Sequence, residues 1–372
     1  MQSDRFPTRI DWRCQIYRLV EELMSYRIRT ACIIVMFPLA FAANAEDIKD
    51  HDPLFSSHDT LEVEVEAPFK TIVTERSDEE EVPGKFRFIT ENGDTLEFDV
   101  AFRARGNWRR NPDICRFPPM RLDFKKSQTK DTLFDKQDKI KLVTHCRNKA
   151  QSYEQAAISE YLAYRMFNLL TPTSFRVRLL KIKYIYTDAK IEIESFGMLI
   201  EHKTRFGKRI DGKPLAIEKT TVAEIRPKDL NLASVFQYFL GNTDFSPIAT
   251  APDEDCCHNQ ALMTSEGGLH YSVPYDFDQA GLVDAPYALP NPRFRLKSVQ
   301  QRLYRGRCEN NEYLPATLQL FRSHRKDFET LVREQQELSS ATRRNLLRFI
   351  EEFYDTINSP KRAERELVRK CI

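Results

Sequence analysis

The 372-residue chain has no excess of charge of either sign: 57 basic residues stand against 55 acidic ones, a formal net charge of +2. Without a strong single-sign field there is no electrostatic footprint for nucleic acid, so no nucleic-acid partner is expected. An apolar run long enough to span a bilayer, about 20 residues, is missing as well. The run from Ala31 to Ala43 stops short of that length and contains Pro38. Also missing is the C-x-x-C spacing with which two thiolates grip one zinc, since Cys256 and Cys257 are adjacent. No internal repeat or low-complexity tract is visible, which excludes solenoids and arrays.

What is present begins with an export signal. Arg27 and Arg29 precede the apolar run, and Ala43-Asn44-Ala45 has the small-x-small form of a cleavage site. The expectation is a signal peptide over residues 1–45, cut after Ala45, leaving an exported chain, periplasmic or extracellular, with no transmembrane segment. An uncleaved anchor is the alternative, and Met24 is an alternative start because the residues before it are long and charged for such a signal. Export leaves Cys115, Cys146, Cys256, Cys257, Cys308 and Cys371. An even number in an oxidising compartment favours disulfides. The expected pairs are Cys115 with Cys146, and Cys256 or Cys257 with Cys308.

Hydrophobic content of 41% and aromatic content of 11% call for a packed core. Residues 46–60 are polar and read as a flexible leader. Period-two alternation marks strands at Leu61–Val65, Phe86–Ile89 and Leu96–Val100, the last two joined by Glu91-Asn92-Gly93-Asp94, a hairpin signal. Further strands are expected at Met120–Phe124, Lys139–Val143, Arg176–Tyr186 and Glu194–Glu201, with a helix over Tyr153–Leu170. After residue 205 helices take over: Leu230–Leu240, stopped by Gly241, and a closing helix around Leu346–Ile357. The fold class expected is α+β, with a strand-rich N-terminal lobe over 61–205, a mainly helical C-terminal lobe over 206–372, and a loop-rich site between them.

Three short pieces follow the buried helix: Gly241-Asn242-Thr243-Asp244, His258-Asn259 and Tyr275-Asp276-Phe277-Asp278. Phosphoryl transfer needs a carboxylate to orient the attacking hydroxyl and oxygens to hold Mg²⁺ on the nucleotide phosphates. An Asp after a helix, then an Asn, then an Asp at a strand end supplies those groups in order. Taken singly, each piece is also what an Asx-turn or a solvated strand edge looks like.

The combination resembles the CotH-like atypical protein kinases. Ala104-Arg105-Gly106-Asn107-Trp108 is similar to an Arg-Gly-Asn element of that family, and Phe196–Glu201 to its Gly-containing strand ending in Glu. The resemblance spans roughly residues 100–285. It implies a kinase-like two-lobed fold and ATP- and Mg²⁺-dependent phosphorylation of a protein Ser/Thr hydroxyl. It further implies Asp244 as the catalytic Asp and Asn259 and Asp276 as the metal-binding pair. Asp278 is a second metal contact or a structural acceptor. Lys141, on the strand before the helix carrying Glu154 and Glu160, is the candidate phosphate-contacting lysine with Glu160 as partner, or an exposed strand lysine. Arg105 is a phosphate contact or a salt-bridge partner. Two departures stand out: Asp244 and Asn259 lie 15 positions apart with Cys256-Cys257 between them, and no G-x-G-x-x-G loop is present. Nucleotidyl transfer, acyl-phosphate ligation, or a non-catalytic envelope module on a degenerate kinase-like fold are the competing readings.

Overall fold

In a strand whose inward face is buried, every second residue must be apolar, and this pattern builds the first half of the protein. The computed structural model describes residues 52–90, 92–252 and 254–372. The expected signal peptide, its cleavage site, Cys14, Cys32 and the start of the leader lie outside the described residues. Strands β1 (Leu61–Ala67), β2 (Val82–Ile89), β3 (Thr95–Ala104), β4 (Met120–Phe124), β5 (Lys139–Val143), β6 (Val177–Tyr186) and β7 (Glu192–Ile200) close into a barrel. Their order is β1-β2-β3-β4-β5-β7-β6. β1 pairs antiparallel with β2, placing Val63 opposite Phe88, and parallel with β6, placing Val63 opposite Ile182. The turn between β2 and β3 uses Gly93 at φ +86°, its N–H donating to the Thr90 carbonyl.

The barrel holds side chains, not a channel. Phe134, from the loop before β5, sits with its ring centroid 5.0 to 5.8 Å from those of Phe86, Phe88, Phe98 and Phe124. A seven-stranded barrel is narrow enough to be filled this way.

The kinase-like two-lobed fold expected from the sequence is not what the chain adopts. Its strands close on themselves in a mixed barrel, and residues Ile48–Ile372 form one compact unit. The physical reason is β6: it pairs with β1 more than a hundred positions upstream, which removes the open edges that a separate sheet lobe would carry. The leader is also docked where it is described. Asp52 is buried and ion-paired to Arg205 at 2.7 Å, and Leu54 and Phe55 join the barrel core.

Helix α1 (Phe69–Glu75) caps the barrel, and α2 (Gln151–Leu170) lies buried on nearly all sides. Then come α3 (Lys203–Arg209), α4 (Pro227–Leu240), a two-stranded sheet of β8 (Gln260–Thr264) and β9 (His270–Pro274), and α5 (Leu314–Ser323), α6 (Arg325–Glu334) and α7 (Ser340–Ile357). Phe239 of α4 is the aromatic centre here, 5.0 to 5.6 Å from Phe321, Phe328 and Phe353. Among the described residues no helix is long and apolar enough to cross a membrane.

Three disulfides are formed: Cys115–Cys146, Cys256–Cys257 and Cys308–Cys371. The expected link from Cys256 or Cys257 to Cys308 is therefore corrected. The chain end runs beside Gly306 and Cys308, with the Ile372 N–H donating to the Gly306 carbonyl, and so brings Cys371 to Cys308.

Candidate functional site

Six of the seven expected site residues, Arg105, Lys141, Asp244, Asn259, Asp276 and Asp278, line one cleft of about 850 Å³. They come from several local structures, with Asp276 and Asp278 on one segment. Gly241 ends α4 in the left-handed region at φ +65°, and Asn242 then turns the chain by accepting from the Asp244 N–H at 2.9 Å. The Asx-turn and the half-buried carboxylate are thus the same feature. Arg305 braces this loop from below, donating to the Thr243 carbonyl at 3.0 Å and the Phe245 carbonyl at 2.6 Å.

Asn259 immediately precedes β8, and β8 and β9 form a hairpin in which Gln260 faces Pro274. Across that hairpin the Tyr275 N–H donates to the Asn259 carbonyl at 3.1 Å, so Asn259 and Asp276 become neighbours. The 15-position gap is therefore looped out and leaves the pair together. The Asn259 amide in turn donates to Asp244, to its carbonyl at 2.7 Å and its Oδ2 at 3.1 Å. His258 Nε2 donates to the other Asp244 oxygen, Oδ1, at 2.8 Å, and this hydrogen bond raises its pKa above the ordinary histidine value.

Phe277 anchors the Asp-Phe-Asp segment. It is fully buried, edge-on to Tyr164 of α2 at 4.7 Å and to Phe236 of α4 at 5.6 Å. Asp276 and Asp278, on either side of Phe277, both turn to Arg109. Asp276 holds φ +59°, and its N–H donates to the Tyr164 hydroxyl at 2.8 Å.

Arg109 is the residue that the sequence analysis missed. It contacts three carboxylates: Glu160 at 3.2 Å, Asp276 at 2.8 Å and Asp278 at 3.2 Å. Its position four residues after Arg105, in the same Arg-Gly-Asn loop, was the available signal. The expected pairing of Lys141 with Glu160 is corrected: Glu160, only 1% exposed, sits behind Arg109, and Glu154 accepts from Ser195 Oγ and the Phe196 N–H of β7. A guanidinium reaches three carboxylates where an ammonium could not, because its donors fan out in a plane.

One guanidinium in contact with three carboxylates, Glu160 and Asp278 buried and Asp276 partly exposed, leaves an excess of negative charge at that contact. Burial pushes Glu160 and Asp278 above their ordinary values against the pull of Arg109. Asp276 behaves oppositely: burial pushes it up, but Arg109, Arg105, Lys141 and His258 together hold it below the usual carboxylate range. Asp276 is therefore the most readily ionised of the three.

Arg105 and Lys141 make no ion pair among the described residues. Lys141 lies over the Tyr275 ring at 5.3 Å, and Lys203 lies over the same ring at 5.3 Å. Burial, with Arg105 and Lys203 close by, pulls Lys141 down to about 7. Two basic side chains outside any ion pair, at one end of a cleft, are suited to receive an anion.

Among the described residues no group of three or more His, Cys, Asp or Glu is arranged to hold a metal ion. Mg²⁺ in a phosphotransferase needs only one or two protein oxygens besides phosphates and water. Arg109 engages Asp276 through Oδ1, which leaves Oδ2, and the Asn259 amide nitrogen is turned to Asp244, which leaves its oxygen. That donor set fits Mg²⁺ carried in with a polyphosphate. The chain matches no protein-family model and no curated protein sequence.

Proposed function

We propose that this cleft transfers a phosphoryl group from ATP, with Mg²⁺, to a Ser or Thr hydroxyl of a protein, as the resemblance to the CotH-like kinases implies. The observation that carries the reading is the convergence of Asp244, Asn259 and Asp276 with the unpaired cations Arg105 and Lys141 on one cleft. It rests on the site and not on the fold, since the chain does not share the expected two-lobed arrangement.

Arg105 and Lys141 meet the phosphates, and Asp276 and Asn259 would hold Mg²⁺, which supplies neutralisation of phosphate charge when bound. Asp244 accepts the hydrogen bond of the attacking hydroxyl and orients it. Both its oxygens are already engaged, by His258 and Asn259, but a carboxylate has about four acceptor positions and retains room for a hydroxyl. We place the reaction outside the cytoplasm, where the six paired cysteines are stable.

A thermal melt of the wild type with and without millimolar ATP and Mg²⁺ tests the reading, followed by mass spectrometry of protein acceptors. The wild type is expected to be stabilised, Asp276→Ala to lose the stabilisation, and Asp244→Asn to keep it and lose turnover. A wild-type melting temperature indifferent to ATP and Mg²⁺ would point instead to a non-catalytic module, which the missing Gly-rich loop favours.

A further inference from the structure

The inner end of the cleft is closed. Beyond Lys141 lies a recess walled by Val143, Phe175 and Ile200, with a volume of about 20 Å³. That is room for a water molecule, not for a purine. Arg105 and Lys141 line both this recess and the open cleft. A nucleotide whose phosphates meet these cations therefore cannot extend its base inward, and the base must lie toward the mouth.

Trp108 lines the cleft and is 48% exposed. Leu289, 64% exposed, lines it too, beside Pro290. The two are among the few large apolar side chains left in solvent. Exposed aromatic surface inside a cleft is a mark of ligand contact. Trp108 is also rigidly mounted. On one side Asn107 donates to Glu254 Oε1 at 2.8 Å, and on the other Arg109 is held by three carboxylates. The Asn111 N–H donates to the Trp108 carbonyl at 3.1 Å, closing the turn. The backbone is held and about half of the indole is exposed in the cleft, which offers an aromatic face for stacking.

We propose that Trp108 is the platform on which the donor's nucleobase stacks, so that the base is bound at the cleft mouth and not in a buried slot. This rests on the phosphotransferase reading above. The base is recognised by its flat π-face, which every base possesses, so purine nucleotides should bind with little discrimination between adenine and guanine.

The chain has two tryptophans, Trp12 and Trp108, so the full chain carrying Trp12→Phe reports on Trp108 alone. Titration of that protein with ATP and with inorganic tripolyphosphate, both with Mg²⁺, is expected to quench its emission with ATP only. By calorimetry Trp108→Ala should bind ATP about tenfold more weakly and tripolyphosphate unchanged, with Trp108→Phe recovering most of the loss. Unchanged ATP affinity in Trp108→Ala overturns the proposal, and a raised KM for protein acceptor in that variant would assign the indole to the acceptor instead. Equal weakening of ATP and tripolyphosphate overturns it too, since that would mean a disturbed Arg105–Arg109 loop. If wild type binds neither ligand, the phosphotransferase reading itself has failed, and the inference fails with it.

Discussion

Arg109 answers to three carboxylates on three separate contacts, and its removal would leave buried Glu160 and Asp278 without an ion-pair partner among the described residues. Breaking a buried ion pair from one side typically costs about 3–5 kcal/mol. Arg109→Met is therefore expected to lower the urea midpoint by an amount of that order, and Arg109→Lys to recover little, because one ammonium cannot meet all three acceptors. A midpoint unchanged in Arg109→Met would show that the carboxylates simply take up protons. His145 is a second residue with a signed prediction. It is 1% exposed, stacked on Phe117 at 4.8 Å, and burial pulls its pKa down to about 4, opposed in part by the Asn148 hydrogen bond. The unfolded chain binds that proton at about 6.5. Its contribution is thus fully present above pH 6.5, declines as pH falls, and is lost below about 4, a span of at most about 3 kcal/mol. Stability measured from pH 7 to 4 should fall less steeply in His145→Gln than in wild type, and identical slopes would remove His145 from the account.

Elements set the site by where they stop. α4 ends at Gly241, whose φ of +65° turns the chain into Asn242-Thr243-Asp244. A Cβ there would lie 3.0 Å from Phe349 Cζ of α7, and the left-handed conformation adds strain for any other residue. Gly241→Ala is expected to cost about 1–2 kcal/mol and to reduce turnover, with the nucleotide-dependent melting shift retained. Loss of that shift in a folded Gly241→Ala would mean that the loop also shapes the nucleotide site. Element positions were largely legible in the sequence. Met120–Phe124 and Lys139–Val143 are strands over the residues expected, because alternation between core and solvent prints itself at period two. α1 and α3 were not seen, since seven-residue helices leave too few turns for a helical period to register. The pairing of β8 with β9, which no local period announces, decides that Asn259 meets Asp276.

At the scale of the whole molecule the disulfide Cys308–Cys371 matters most for stability, since it joins residues 63 positions apart and fastens the chain end. Loop closure of that length stabilises by up to about 4 kcal/mol in the chain-entropy account. Cys308→Ser with Cys371→Ser is expected to lower the urea midpoint accordingly and to leave Mg²⁺-ATP binding intact, since neither cysteine lines the cleft. An unchanged midpoint would mean that the chain end is held by its packing alone.

The sequence by itself determined what depends on neighbours along the chain: the alternation of the strands, the Asn-Gly turn, the stop at Gly241, and the residue types that phosphoryl transfer requires. Tertiary structure alone decided what depends on partners far apart. β6 closes the barrel on β1, Cys371 returns to Cys308, and Arg109 rather than Lys141 takes Glu160. The reason is that periodicity records whether a side chain is buried, whereas pairing is chosen by the lowest free energy of the whole chain. Local pattern carries no label for the partner strand, the partner sulfur or the partner charge.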